Sequence, residues 1–255
     1  MEQHNMPVME HIVELRRRII FTLVFFTVAF VAGFFLATPI ISYLLSTPTA
    51  HDLPMNAFKM TDSIRIFMTF AFAIGLILTF PIILFQLWGF VKPGLHENEQ
   101  KATLAYIPIA FLLFLAGLSF AYFILFPYIV EFMSNMAERL GITEQYGINE
   151  YFTFLFQVTL PFGALFQLPV VVMFLTRLGI ITPVVLKQIR KVAYFVLLVI
   201  AGMITPPDVI SHMIVTVPLL LLYEFSIWVS HLTYRKVLKA EKEREAALEK
   251  AEKEK

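Results

Sequence analysis

The chain has 255 residues, of which 58% are hydrophobic and 15% charged, and its mean hydropathy is +0.76. Soluble domains carry roughly 45–50% apolar and about 25% charged residues, so these values argue against a water-soluble enzyme and against a disordered chain. The net charge of +1 provides no field that would draw in nucleic acid.

The first element follows Arg16, Arg17 and Arg18. The uncharged run Ile19–Ala50 is too long for the apolar part of a cleavable signal peptide and lacks an A-x-A-like exit. A retained transmembrane helix is expected. Ile66–Val91, Ala102–Val130 and Tyr151–Thr176 are the next uncharged runs, each long enough for the ~20 residues that cross a bilayer core. Val192–Pro207 is shorter, and Met213–Ser230 follows His212 with Glu224 inside it. Most runs are apolar on every face, and none alternates with period 2, so helices are expected rather than a barrel.

Val192–Ile204 supplies 13 residues before Thr205-Pro206-Pro207, about 20 Å of helix. The fifth and sixth helices are therefore expected to form a short hairpin that thins the bilayer locally. Pro81, Pro108, Pro127, Pro161, Pro169 and Pro218 punctuate the spans, and each removes a donor and bends its helix. The fold expected is all-α and integral to the membrane: six kinked helices forming a curved wall or cup. Residues 46–63 and 131–150 are long enough to pack over one end of it. Residues 1–235 read as the transmembrane domain and 236–255 as a charged tail.

Orientation follows the basic residues. The N-terminus, the 91–101 loop, the 177–191 loop and the tail hold 3, 2, 4 and 8 Lys and Arg, whereas the other side has only Lys59, Arg65 and Arg139. Both termini are expected in the cytoplasm of a cell whose inner membrane the chain spans several times.

Chemistry is sparse. Cysteine is absent and the six histidines stand singly, so no disulfide, iron–sulfur cluster or metal site is expected, and no cofactor. His96-Glu97-Asn98-Glu99-Gln100 begins like a zinc-protease helix but lacks the second histidine. No nucleophile elbow or phosphate loop occurs, so no enzyme is expected.

The polar groups inside spans are the candidates. Glu224 is a carboxylate at membrane depth, costing ~2.5 kcal/mol or more on insertion scales. Two readings stay open for it, a proton carrier and a hydrogen-bonded structural acid. Gln157 and Gln167, nearly three turns apart, offer amides as helix glue, and Gln167 is read rather as lining a wet groove. At the basic end, Glu14 lies one turn before Arg18, and Glu97 and Glu99 sit in the loop after the second span. A cationic ligand and a simple ion pair (Glu14 with Arg18) are both open there.

Four motifs in order resemble those of the TatC family, the multispanning core of the twin-arginine protein translocase. Met9-Glu10-His11-Ile12-Val13-Glu14-Leu15-Arg16-Arg17-Arg18 resembles the family's amino-terminal segment. Phe90-Val91-Lys92-Pro93-Gly94-Leu95 with Glu99 resembles its first cytoplasmic loop, Thr205-Pro206-Pro207-Asp208 its hairpin tip, and Leu222-Tyr223-Glu224 its last helix.

The resemblance implies a concave, glove-like fold, no nucleotide, and recognition of twin-arginine signal peptides on folded precursor proteins. It also implies transport driven by the proton-motive force with the single-span partners TatA and TatB, and self-association in the complex. The signal-binding acids map onto Glu14 and Glu99, with His11 and Arg16 at the pocket's edge and Arg16 orienting Glu14. Thr205 and His212 fall where relatives present polar groups to a partner helix. Two departures stand out. Gln167 replaces an acid common in the fourth helix, and Glu99 is followed by Gln100-Lys101 rather than by basic residues directly. The rival expectation is a proton-coupled secondary transporter of a small solute.

Overall fold

The computed structural model describes residues 8–51, 53, 55–92, 100, 103–205 and 208–253. Helix α1 spans Val8–Leu45, the short α2 Pro48–His51 and α3 Asp62–Val91. Helix α4, Tyr106–Phe120, runs through a π-helical turn at Ala121–Leu125 into α5, Phe126–Arg139. Helices α6, Ile148–Leu165, and α7, Leu168–Arg177, make the next rod. Helices α8, Pro183–Gln188, α9, Arg190–Ile204, and α10, Val209–Lys253, complete the chain. Five rods are long and apolar enough to cross a membrane: Ile12–Leu45, Asp62–Val91, Tyr106–Arg139, Ile148–Arg177 and Val209–Lys239. At 15 residues, α9 is only about 22 Å long.

The fifth expected helix is thus short, but the sixth is not. One helix runs from Val209 through the charged tail to Lys253, 45 residues in all. The tail's Glu, Lys, Arg and Ala are strong helix formers, and a helix already nucleated in the span propagates through them at little cost.

Two interruptions sit where proline removes a donor. Pro127 cannot bond to Phe123, and the turn before it widens to π geometry. Pro169 cannot bond to Leu165, so α6 stops there and α7 restarts three residues on, at Leu168.

Lipid supplies no hydrophobic drive for one apolar helix to leave it for another, so close packing must. Helix α1 buries Ala29, Gly33 and Ala37, one turn apart along a single face, against Ala71, Gly75 and Thr79 of α3. A Cβ at Gly33 would lie 2.8 Å from the Ala71 carbonyl oxygen. One at Gly75 would lie 3.1 Å from the Phe30 backbone. The remaining faces of α1, with Val28 and Phe35, are exposed, as a lipid-facing helix requires. Helices α4 and α6 interlock similarly, Gly117 beneath Phe162 and Gly163 beneath Phe114.

One end of the bundle carries a cap. Met55–Asn56 pairs in parallel with Tyr146–Gly147, tying the 46–63 and 131–150 segments together. Asp62, buried, accepts hydrogen bonds from the Phe58 and Lys59 amides at 3.0 and 2.8 Å. Glu144 accepts from Ser134 and Tyr146. Burial and the Glu144 carboxylate push the Tyr146 hydroxyl up to about 12. Beneath this cap Phe70 of α3 packs edge-on against Phe152 and Phe156 of α6. Towards the opposite, basic end, the far half of α3 stands off from α4 and α7, and a groove opens between them.

Candidate functional site

Glu14 stands on α1 at the basic end. Arg18, one turn on, donates from Nε to Glu14 Oε1 at 3.0 Å, and its Nη2 reaches the same oxygen. Arg18 Nη1 donates to Gln86 Oε1 of α3 at 3.1 Å. The guanidinium lies over Gly89, where a Cβ would collide with it. A bare backbone at position 89 therefore lets an arginine from α1 lie flat on α3. Both Arg18 contacts fall on Oε1, and among the described residues no donor reaches Glu14 Oε2.

The expectation that Arg16 orients Glu14 is corrected: Arg16 is exposed, and Arg18 holds the carboxylate. The geometric reason is helical spacing, since residues four apart share a face and residues two apart do not. His11 lies on the same helix, one turn before Glu14, with its side chain outside the described residues.

Beside this cluster an apolar groove of about 200 Å³ runs along α1 and α3, lined by Leu15, Ile19, Leu23, Ile83, Leu87 and Phe90 among others. Glu97 and Glu99 lie outside the described residues. The flanks of their loop are tied at Trp88, whose indole N–H donates to Thr103 Oγ1 at 3.2 Å. Thr103 in turn donates to the Gln100 carbonyl, and the Gln100 amide donates to that of Lys92. The Lys92 ammonium sits 5.4 Å above the Trp88 ring, within cation–π range.

Gln167 occupies the break between α6 and α7. Its Nε2 donates to the Ala110 carbonyl of α4 at 3.1 Å and contacts the Gly163 carbonyl at 3.4 Å, while Oε1 is buried without a partner. It forms part of the wall of a groove of about 350 Å³ between α3, α4 and α7. Nε2 thus ties the α6–α7 break to α4, as helix glue would, and the groove beside it is walled by apolar side chains.

Glu224 is tied to α9. Arg190 Nη2 donates to Oε2 at 2.9 Å, and Tyr194 donates its hydroxyl to Oε1. Arg190 Nε also lies 2.9 Å from Oε1, though without hydrogen-bond alignment. The adjacent Tyr223 donates to the Leu186 carbonyl at 2.8 Å. Paired in this way, the carboxylate matches the structural-acid reading.

At the hairpin tip, Thr205 is buried and ends α9, its hydroxyl donating to the Ala201 carbonyl at 2.9 Å. Asp208 starts α10, its carboxylate accepting from the Ser211 amide at 2.8 Å. That bond holds the carboxyl below its ordinary value. The half-buried His212 ring packs over Gly202 of α9. The structure therefore brings His212 against its own hairpin and spends the Thr205 hydroxyl internally.

Sequence reading missed Gln86, Gly89 and the Trp88–Thr103 clasp. Gln86 carried a signal, being an amide in an otherwise apolar run, but its partner is 68 residues away. Among the described residues no cluster of His, Asp or Glu is arranged to hold a metal.

Comparison with known proteins places the chain as a whole. A family profile described as TatC, Sec-independent protein translocase protein, matches residues 10–218. The chain is 70% identical over 245 residues to the Sec-independent protein translocase protein TatC of Halalkalibacterium halodurans, covering 96% of this chain and 97% of that protein. It is 58% identical over 240 residues to TatCy of Bacillus subtilis, covering 94% of each. The crystal structure of a twin arginine translocase receptor, TatC, superposes with a TM-score of 0.75 at 30% identity, over 88% of this chain and 99% of that one.

Proposed function

The chain belongs to the TatC family of Sec-independent protein translocase proteins, and from that premise we propose that it is the receptor for twin-arginine signal peptides in a prokaryotic cytoplasmic membrane. Family membership places it among translocase components rather than enzymes, and supports this reading over proton-coupled transport of a small solute.

The observation that carries the reading is Glu14. Its carboxylate is held by Arg18 through one oxygen only, next to an apolar groove. Oε2 takes a guanidinium of the signal, and Glu99 takes the second. Charge-assisted bonds of this type contribute ~1.5–3 kcal/mol each. Two of them fall short of the ~8 kcal/mol of a micromolar complex. The apolar segment of the signal, lying along Leu15, Ile19, Ile83 and Phe90, supplies the rest. His11 and Arg16 form the rim.

Residues 1–235 form the translocase domain of six helices around a concave face, counting the short α9, and residues 236–255 are a cytoplasmic tail continuous with α10. Both termini are cytoplasmic, following the Lys and Arg bias. TatA and TatB dock their single helices at the α9–α10 hairpin, where Thr205, His212 and thinned lipid favour a short helix with a polar group. Copies of the chain associate in the complex. Folded precursors cross at the expense of the proton-motive force, with Gln167 and Glu224 the polar groups nearest their route.

The test is precursor affinity for Arg-Arg and Lys-Lys signals, with wild type and with Glu14→Gln and Glu99→Gln. Loss of Arg-over-Lys discrimination in either variant supports the assignment. Unchanged discrimination in both removes these residues from the site.

A further inference from the structure

The groove between α3, α4 and α7 has a chemistry that the proposed signal site does not use. Its walls include Phe80, Leu84 and Trp88 of α3, Ile107 of α4, and Val171 and Phe174 of α7. No charged side chain lines it. Leu87 and Val171 are half-exposed on its flank, and because its three helices belong to membrane-crossing rods, the surrounding medium is lipid.

The basic end of this groove is different. Arg177 ends α7, one turn beyond Phe174 and beside Tyr106, which is part of the wall. Arg177 Nε is buried without a hydrogen-bond partner. Among the described residues no carboxylate pairs with Arg177. Lys92 stands over Trp88 at the same end. A partly buried guanidinium whose Nε meets no acceptor is costly unless an anion completes it. An apolar cleft crowned by two cations fits an amphiphile with an apolar tail and an anionic head.

We propose that this groove binds an anionic phospholipid, one acyl chain along Leu84, Val171 and Phe174 and the phosphate at Arg177 and Lys92. A phosphate accepts from a guanidinium fork in the bidentate manner. The groove beside Glu14 is flanked by a carboxylate where this one is flanked by Arg177, so the two take head groups of opposite charge. The lipid site stands independently of the signal-receptor reading.

The experiment uses the full chain in phosphatidylcholine nanodiscs doped with phosphatidylglycerol bearing a diazirine on one acyl chain. After irradiation, labelled residues are mapped by mass spectrometry. Labelling is expected at Leu84, Val171 or Phe174, and in excess of that from a matched phosphatidylcholine probe. Arg177→Gln is expected to lower it about tenfold, the loss of one charge-assisted bond, while Arg177→Lys, which keeps the charge without the fork, falls between Gln and wild type. Val171→Trp, which fills the groove from its exposed flank, abolishes it. The proposal is overturned by equal labelling from the two probes, by unchanged labelling in Arg177→Gln or Val171→Trp, or by displacement of the lipid probe by a twin-arginine peptide.

Discussion

The guanidinium of Arg18 lies on Gly89, in the space where a side chain on α3 would project. The contact joins two helices and fixes the group that holds Glu14. Gly89→Ala should therefore act on recognition rather than on folding, because the displaced atoms are the far end of a flexible side chain. Precursor affinity should fall by up to about tenfold, the worth of one oriented charged hydrogen bond, with the thermal midpoint in detergent unchanged. A lowered midpoint with intact affinity would show that the contact is merely structural.

The two glutamates should separate arginine from lysine. A carboxylate matches the planar fork of arginine better than the point charge of lysine. Glu14→Gln should cost ~1.5–3 kcal/mol of precursor binding, and raising salt should weaken binding by the wild type. If the only role of Glu14 were its half-buried pairing with Arg18, the change would cost about 1 kcal/mol of stability and leave discrimination intact. Calorimetry with Arg-Arg and Lys-Lys peptides at two salt concentrations distinguishes these outcomes.

Gly33→Ala should destabilise the fold. Here the new Cβ meets the Ala71 carbonyl at 2.8 Å, and backbone cannot rotate away as a side chain can. Overpacking of this kind costs ~1–3 kcal/mol. The thermal midpoint should fall, whereas Ala29→Gly on the same stripe should change it far less. Equal midpoints for Gly33→Ala and wild type would mean that α1 and α3 are free to slide apart.

Gln167 should act through its amide. Gln167→Leu removes the donor to the Ala110 carbonyl and should lower export of a reporter precursor. Gln167→Glu should be tolerated, since a protonated carboxyl gives Ala110 the same hydrogen bond. Full export by the Leu variant would reduce the residue to packing.

Asp208 should make the hairpin sensitive to acid. Its carboxyl is held below the ordinary value by the Ser211 amide. A depressed carboxyl contributes its full stabilisation above the unfolded value and loses it as pH falls through the folded one. Asp208→Ala should thus lower the thermal midpoint at pH 7 and matter less in acid below the carboxylate range. Asp208→Asn, still a good helix cap, should fall between Ala and wild type at pH 7. Midpoints for the three proteins at both pH values decide it.

The membrane class, the number of apolar runs and the family were legible along the chain alone. Those properties are local: hydropathy is summed residue by residue, a backbone in lipid must bond within its own helix, and the four motifs are read along the chain. The pairing of Glu14 with Arg18 was equally legible, because both lie one turn apart on one helix. The length of α10 was not, because a charge run ends an apolar segment without ending a helix.

Which faces meet was settled by the packing of the helices on one another. Nothing along the chain says that Glu224 is held by Arg190, 34 residues away, that Arg18 lies on Gly89, or that α3 stands off from α4 and α7 to open a groove beneath Arg177. In water an apolar stripe marks the buried face of a helix. In lipid every apolar face is equally at ease outside, so the partner of each helix is fixed by small residues such as Gly33 and Gly75 and by a few polar bonds, whose fit exists only once two helices are already side by side.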